Sequence, residues 1–272
     1  MTTPLPVGGI LPPTLLVGCG KMGGALLAGW RERGLSACTA VEPHVAGPIP
    51  GATVVPTPGE IPESFTPAAV VLAIKPQEAP AALPLYARFA GSAVFVSIMA
   101  GRTLAGMRAT LGPDAAIVRA MPNTPAAVRQ GFTVACAGPG VSPAQQTLAD
   151  NLLAATGEVA WVEDESLLDP VTAVSGGGPA YVFLLAELLE AAAIEQGIPA
   201  DLARRMARAT VAGSGALLAA SPDDAATLRR NVTSPKGTTE RALAVLMDSA
   251  AWPEAVSRAI AAATARSREL AG

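Results

Sequence analysis

The chain has 272 residues, half of them hydrophobic and 15% charged, with a net charge of −3. This composition excludes intrinsic disorder and provides for two domains, with more apolar surface than a monomer needs to bury. It also excludes a nucleic-acid footprint, because the basic pairs at 204–205 and 229–230 are isolated and read as solvated helix faces.

Three cysteines, Cys19, Cys38 and Cys136, fall in no metal-binding or disulfide spacing. No basic region precedes an apolar stretch at the start of the chain, and no apolar run approaches the roughly 18 residues of a membrane span. The expectation is a soluble cytoplasmic protein without a membrane partner.

In chain order, residues 1–13 form a flexible Pro- and Gly-rich lead. Strands are predicted over 15–17, 39–41, 53–55, 70–74, 94–97 and 116–119, with helical stretches between them. That alternation implies a mostly parallel sheet covered on both faces, which the run 132–135, a helix over 143–155 and the run 159–162 extend. After Asp164 the strand signals stop. Segments 179–196, 199–220, 222–230, 238–248 and 253–270 read as helices, several with proline at or near the first turn. The stretch 181–194 is apolar nearly all round, broken only by Glu187 and Glu190, so it needs cover on more than one side. A partner subunit is the expected cover. The division is thus an α/β domain over 14–163 and an all-helical domain over 164–272.

The segment 15–25, Leu-Leu-Val-Gly-Cys-Gly-Lys-Met-Gly-Gly-Ala, runs from a strand through a tight turn into a helix. Gly18 permits the turn, Gly20 lets the backbone approach a pyrophosphate, and Gly23 lets helix and strand pack closely. The diphosphate then sits against free N–H groups at a helix N-terminus, along a loop that includes Cys19, Lys21 and Met22. G-x-G-x-x-G alone is a weak signal; the strand before it, the helix after it and Glu42 at the end of the next strand strengthen it. Glu42 is placed to accept hydrogen bonds from an adenosine ribose and to repel a 2′-phosphate, while Pro43 offers that phosphate no N–H. NADH is therefore expected over NADPH. Cys19 reads as a small residue filling the turn, and His44, the single histidine, as a surface residue.

Five further motifs follow: Val-Leu-Ala-Ile-Lys-Pro at 71–76, Val-Ser-Ile-Met-Ala-Gly at 96–101, Arg-Ala-Met-Pro-Asn-Thr-Pro at 119–125, Ser-Gly-Gly-Gly-Pro-Ala-Tyr at 175–181 and Asn-Val-Thr-Ser-Pro-Lys-Gly-Thr-Thr at 231–239. In order and placement, from residue 15 to 270, the sequence resembles the pyrroline-5-carboxylate reductases.

That resemblance implies a Rossmann-type doubly wound sheet followed by an all-α dimerisation domain. The activity it implies is hydride transfer from NAD(P)H to the C=N bond of 1-pyrroline-5-carboxylate, giving L-proline in the last step of proline biosynthesis. It assigns the diphosphate to Gly18–Gly23, and the nicotinamide and ribose side to Ala73, Ile74, Lys75 and Pro76 with Ile98, Met99 and Ala100. Asn231 reaches the cofactor from the helical domain. Ser234, Gly237, Thr238 and Thr239 hold the substrate, with Thr239 donating to the imine nitrogen. An obligate, interlocked homodimer is implied, and a ring of dimers such as a decamer.

The sequence departs from the family pattern at three places. Gly177 stands where the family commonly has Ser, Lys236 where it commonly has Gly, and Pro-Thr-Pro-Gly-Glu at 56–60 where it often has Asn after the third strand. Two alternatives stay open. A β-hydroxyacid dehydrogenase would need a lysine on the central helix, whereas the only lysines are Lys21, Lys75 and Lys236. A redox-silent NAD(P)-binding regulatory protein would keep the fold without turnover.

Overall fold

Strands with apolar side chains on both faces must be covered twice. The computed structural model describes residues 11–44 and 47–271. Its strands are β1 (Thr14–Val17), β2 (Cys38–Val41), β3 (Thr53–Val55), β4 (Ala69–Leu72), β5 (Val94–Ser97), β6 (Ala116–Met121), β7 (Gly131–Ala137) and β8 (Gly157–Val162). They lie in one sheet in the order β3-β2-β1-β4-β5-β6-β7-β8, and only the β6–β7 pairing is antiparallel. The helices between them are α1 (Lys21–Glu32), α2 (Ala79–Ala82), α3 (Leu104–Leu111) and α4 (Pro143–Leu153), and α5 (Leu168–Val171) follows β8.

Successive residues of each central strand feed opposite cores. Leu15, Val70, Phe95 and Ile117 pack with Tyr86, Phe89 and Met107. Leu16, Val71, Val96 and Val118 pack on the other face with Leu26, Leu27, Trp30 and Leu152. Each such buried side chain contributes about 1.5–3 kcal/mol. On the second face α1 and α4 are tied together, because Trp30 Nε1 donates to the Leu152 carbonyl at 2.8 Å.

The structure shifts several expected boundaries. Residues 1–10 of the lead lie outside the described residues, but 11–13 belong to the fold. Leu11 is buried and bridges Leu35, its carbonyl accepts from Ser36 N, and the Pro13 carbonyl accepts from Ala68 N. Strand β4 ends at Leu72 rather than at 74. Pro76 has no N–H for a ladder, and Lys75 before it is held extended at φ −67°, ψ 142°.

The first compact unit continues to Gly176, past the boundary expected near 163, and takes in 263 onwards. The buried side chain of Leu168 and an ion pair hold this extension to the sheet, and a second bond joins its two parts. Glu165 pairs with Arg119 at 2.8 Å, and Ser267 donates to the buried Asp169 at 2.7 Å. Between α5 and the next helix, Thr172–Gly176 forms a π-helical turn.

The second unit, Gly177–Ala262, is helical: α6 (Gly178–Glu195), α7 (Ala200–Ala220), α8 (Ala225–Asn231), α9 (Thr238–Leu246) and the first part of α10 (Trp252–Ala271). Helix α8 starts at Ala225 rather than at Pro222, because the Asp224 carboxylate caps it by accepting from Thr227 N at 2.7 Å. Within one chain α6 has no buried residue, and it exposes Phe183, Leu184 and Leu188 by 62%, 51% and 56%. In α7 only the small residues Ala203 and Ala207 are buried. The helical run Glu165–Glu195 is, by length and composition, apolar enough to cross a membrane, which the sequence reading did not anticipate. Its glutamates interrupt the apolar run in sequence but fall within helical turns.

Candidate functional site

The carboxyl ends of β1, β2, β4 and β5 carry the first group of candidate residues. After β1 the backbone turns at Gly18, whose φ of +87° favours glycine, and a Cβ there would lie 2.8 Å from the Ala73 carbonyl oxygen. A Cβ on Gly23 would collide with the Gly18 carbonyl. Gly20 differs from both. A Cβ built on it meets nothing within 4 Å, and it is the N-cap of α1 with no side chain capping the helix. Two glycines therefore close the turn against the sheet, while the third leaves an open cradle above uncapped N–H groups. Such a helix start receives an anion.

Glu42 braces this loop. Its Oε2 accepts from Cys19 N at 2.7 Å and its Oε1 from His44 N at 3.1 Å. The carboxylate is thus fixed at the strand end beside the glycine turn. Burial, with the Glu42 charge adding to it, holds the Cys19 thiol above its ordinary value, and burial pushes Cys38 up to about 12. Both stay protonated at neutral pH, so neither is a nucleophilic thiolate.

The loops after β4 and β5 continue the ladder for one rung. Ala73 N donates to the Val17 carbonyl at 2.8 Å and Ile98 N to the Leu72 carbonyl at 3.1 Å. Ala73, Ile74, Pro76, Ile98 and Ala100 are half-buried and Lys75 is exposed. Met99 is the exception among the expected lining residues. Its side chain is 2% exposed and belongs to the core.

Sequence reasoning gave three nearby polar residues no role. Arg102 donates through Nε and Nη2 to the Pro76 carbonyl, at 2.9 and 2.6 Å. Asn123 Nδ2 donates to Ser175 Oγ at 3.2 Å while its Oδ1 accepts from Phe132 N at 2.9 Å, which ties the π-helical turn to the start of β7. Glu165 Oε1 accepts both from Arg119 and from Leu104 N at the start of α3. Asn123 stands in one of the sequence motifs. Arg102 and Glu165 carry no local signal.

The second group lies in the helical unit, on α8, α9 and the turn between them. Asn231 closes α8, and Gly237 is the N-cap of α9, again with no side-chain cap. The turn is built by the Gly237 N–H donating to the Ser234 carbonyl at 3.0 Å, and a Cβ on Gly237 would lie 2.9 Å from that oxygen. Lys236 has a left-handed φ of +60°, and its N–H donates to Glu240 Oε2 at 2.8 Å. Ser234, Thr238 and Thr239 are exposed on the single chain. Uncapped N–H groups flanked by two threonine hydroxyls make this a second anion-receptive helix start.

Residues 165–270 match the family model for pyrroline-5-carboxylate reductase dimerisation. The chain is 37% identical to the pyrroline-5-carboxylate reductase of Pseudomonas aeruginosa over 96% of its own length and 97% of that protein. It is 40% identical to the Synechocystis enzyme over 74% of each. Among solved structures, the Coxiella burnetii pyrroline-5-carboxylate reductase superposes with a TM-score of 0.85 at 29% identity, over 95% of this chain and 98% of that one. The Plasmodium falciparum pyrroline carboxylate reductase, solved with NADP bound, superposes with a TM-score of 0.83 at 25% identity, over 97% and 100%.

The three loop glycines separate by stability. Gly20→Ala, with open space at the Cβ and an allowed backbone, is expected to cost at most about 1 kcal/mol. Gly23→Ala forces the start of α1 off the Gly18 carbonyl and should cost on the order of 3 kcal/mol. Urea denaturation of the two variants checks the contrast; equal losses would contradict it.

Proposed function

The chain belongs to the pyrroline-5-carboxylate reductase family, and from that premise we infer which of its residues carry the reaction. Hydride passes from NAD(P)H to the C=N carbon of 1-pyrroline-5-carboxylate while the nitrogen takes a proton, which gives L-proline. The carrying observation is the pair of uncapped helix starts, one per unit, each opened by a glycine. A dehydrogenase with a catalytic lysine on α6 is set aside, since α6 contains no lysine.

Gly18–Gly23 would hold the cofactor diphosphate. The residues fit the group, because the cradle above Gly20 is space that a side chain would fill. The bound dinucleotide supplies the hydride; the protein supplies position and electrostatics. Ala73, Ile74, Lys75, Pro76, Ile98, Ala100 and the Met99 backbone would face the nicotinamide side, with Asn231 contributing from α8. We further propose NADH as the preferred donor. Glu42 already holds two backbone N–H groups, so its carboxylate cannot easily swing away from a ribose. A 2′-phosphate there meets like charge. The P. falciparum relative carries NADP in its structure, so the preference is proposed for this chain's own residues.

Ser234, Gly237 and the N–H groups of Thr238 and Thr239 would hold the substrate carboxylate. Thr239 Oγ1 would then donate to the imine nitrogen, since a five-membered ring anchored at one end is fixed within hydrogen-bond reach at the other. Imine that arrives already protonated would instead donate its N–H to Thr239 Oγ1, and needs only to be oriented.

The dimerisation domain is present, and we propose that the dimer is obligate and that dimers close into a ring such as a decamer. The apolar surface that α6 exposes on a single chain supports this reading. Cytoplasmic residence goes with it: all three cysteines are free thiols.

Three outcomes are expected. Purified protein oxidises NADH on addition of pyrroline-5-carboxylate, with a higher kcat/KM than for NADPH; no oxidation of either nucleotide would sink the enzyme reading, and a higher value for NADPH would reverse the preference. Thr239→Ala lowers kcat on the order of 10²-fold with melting temperature and cofactor Kd held, because α9 has no side-chain cap to lose; wild-type kcat at saturating imine would remove the catalytic role, and Thr238→Ala serves as the control for anion binding. Leu188→Asp places an unpaired charge in the interface at a cost of about 3–5 kcal/mol, and light scattering should show the dimer lost. A folded, active monomer from the wild type would refute the obligate dimer.

A further inference from the structure

We infer that Arg102 is a positioning residue for the nicotinamide half of the cofactor, a role that rests on residues 73–76 and 98–100 lining that half. The last rung between the neighbouring strands β4 and β5 is the Ile98 N–H to the Leu72 carbonyl. Beyond it the two loops leave the sheet, and a loop pair without cross-links has no fixed spacing. Among the described residues, the Arg102 guanidinium supplies such a cross-link, closing on the single Pro76 carbonyl with two donors at 2.9 and 2.6 Å. Pro76 is the first residue of the tight turn that follows Lys75, so this carbonyl sets where Ile74 and Lys75 stand.

The chain is bent to make this bond. Gly101 has a φ of +69°, and a Cβ on it would sit 3.0 Å from the Leu270 carbonyl oxygen of α10, so both the turn and the space demand glycine. Immediately after it, the half-buried Arg102 returns toward Pro76. Among the described residues Arg102 has no carboxylate in ion-pair contact. A guanidinium bound to a neutral carbonyl keeps its full charge, and its planar fork fixes direction as well as distance. Lysine at this position carries the charge without the fork.

The test compares Arg102→Met and Arg102→Lys with Arg108→Met in the full chain. Arg108 Nη2 makes the same kind of bond, to the Pro113 carbonyl at 2.6 Å, at the exposed far end of α3. Two ligands are titrated by fluorescence: NADH (or NADPH, whichever the wild type binds more tightly) and ADP-ribose, which lacks the nicotinamide. Arg102→Met is expected to raise the Kd for the dinucleotide roughly tenfold and to lower kcat, with the Kd for ADP-ribose unchanged. Arg102→Lys should recover part of the loss, and Arg108→Met should leave both ligands and kcat at wild-type values. Wild-type dinucleotide affinity and kcat in Arg102→Met would overturn the assignment. So would equal weakening of both ligands, which would mark a merely structural role. If Arg102→Met fails to fold, Arg102→Lys decides by the same split between ligands. A wild type that binds neither dinucleotide would instead sink the underlying reading of the site, and with it this role.

Discussion

The approach of α1 to the end of β1 is the contact on which the first unit depends. Gly23 stands so close to the Gly18 carbonyl that no side-chain carbon fits between them, and Gly18 in turn lies against the Ala73 carbonyl. One point of backbone packing thus sets the helix start against both β1 and the loop after β4. It fixes the height at which the free N–H groups of α1 face the crevice, and Glu42 locks it by gripping the Cys19 amide. The anion-receptive geometry follows from close packing, and no charged side chain is needed to create it.

The helical unit rests on a different constraint. Its helices carry more apolar surface than one chain can cover, and its internal buried contacts are made by alanines. Small residues let α6 and α7 approach closely but contribute little transfer free energy, so the large side chains of α6 are left to face outward. The polar turn before α9 sits in this apolar unit and leaves the helix start without a side-chain cap. Stability and binding capacity are therefore supplied by different residues of the same unit.

Much of this was legible in the sequence. Short β-rich runs located the strands, and β3 and β5 fell on their expected residues, because such runs bounded by turn residues leave little freedom. The glycine spacing identified which position packs and which stays open. The sequence was less informative wherever a partner lies far along the chain. Arg102 and Pro76 are 26 residues apart, and Arg119 and Glu165 are 46 apart. A single arginine after a glycine carries no periodicity to betray either bond. Met99 shows a related limit: a loop motif does not say which way a side chain turns, and this one is buried in the core. The unusual Lys236 gains its explanation only from the backbone. Its left-handed φ, of order 1 kcal/mol unfavourable for a side-chain-bearing residue, marks a position that favours glycine.

The first unit is also discontinuous in the chain: residues 263 onwards complete it after the whole of Gly177–Ala262 has been made. The buried bond between Asp169 and Ser267 joins residues 98 apart, and Leu270 closes over Gly101. During vectorial synthesis the sheet and its two cores can assemble early, but the segment that seals the β5 loop does not yet exist. The nascent Rossmann-type unit therefore waits, with that edge open, while the helical unit emerges and collapses. Ordering of the loop at Gly101 is in this way coupled to completion of the helices, so a chain interrupted within α7 or α9 would present a sheet without its seal.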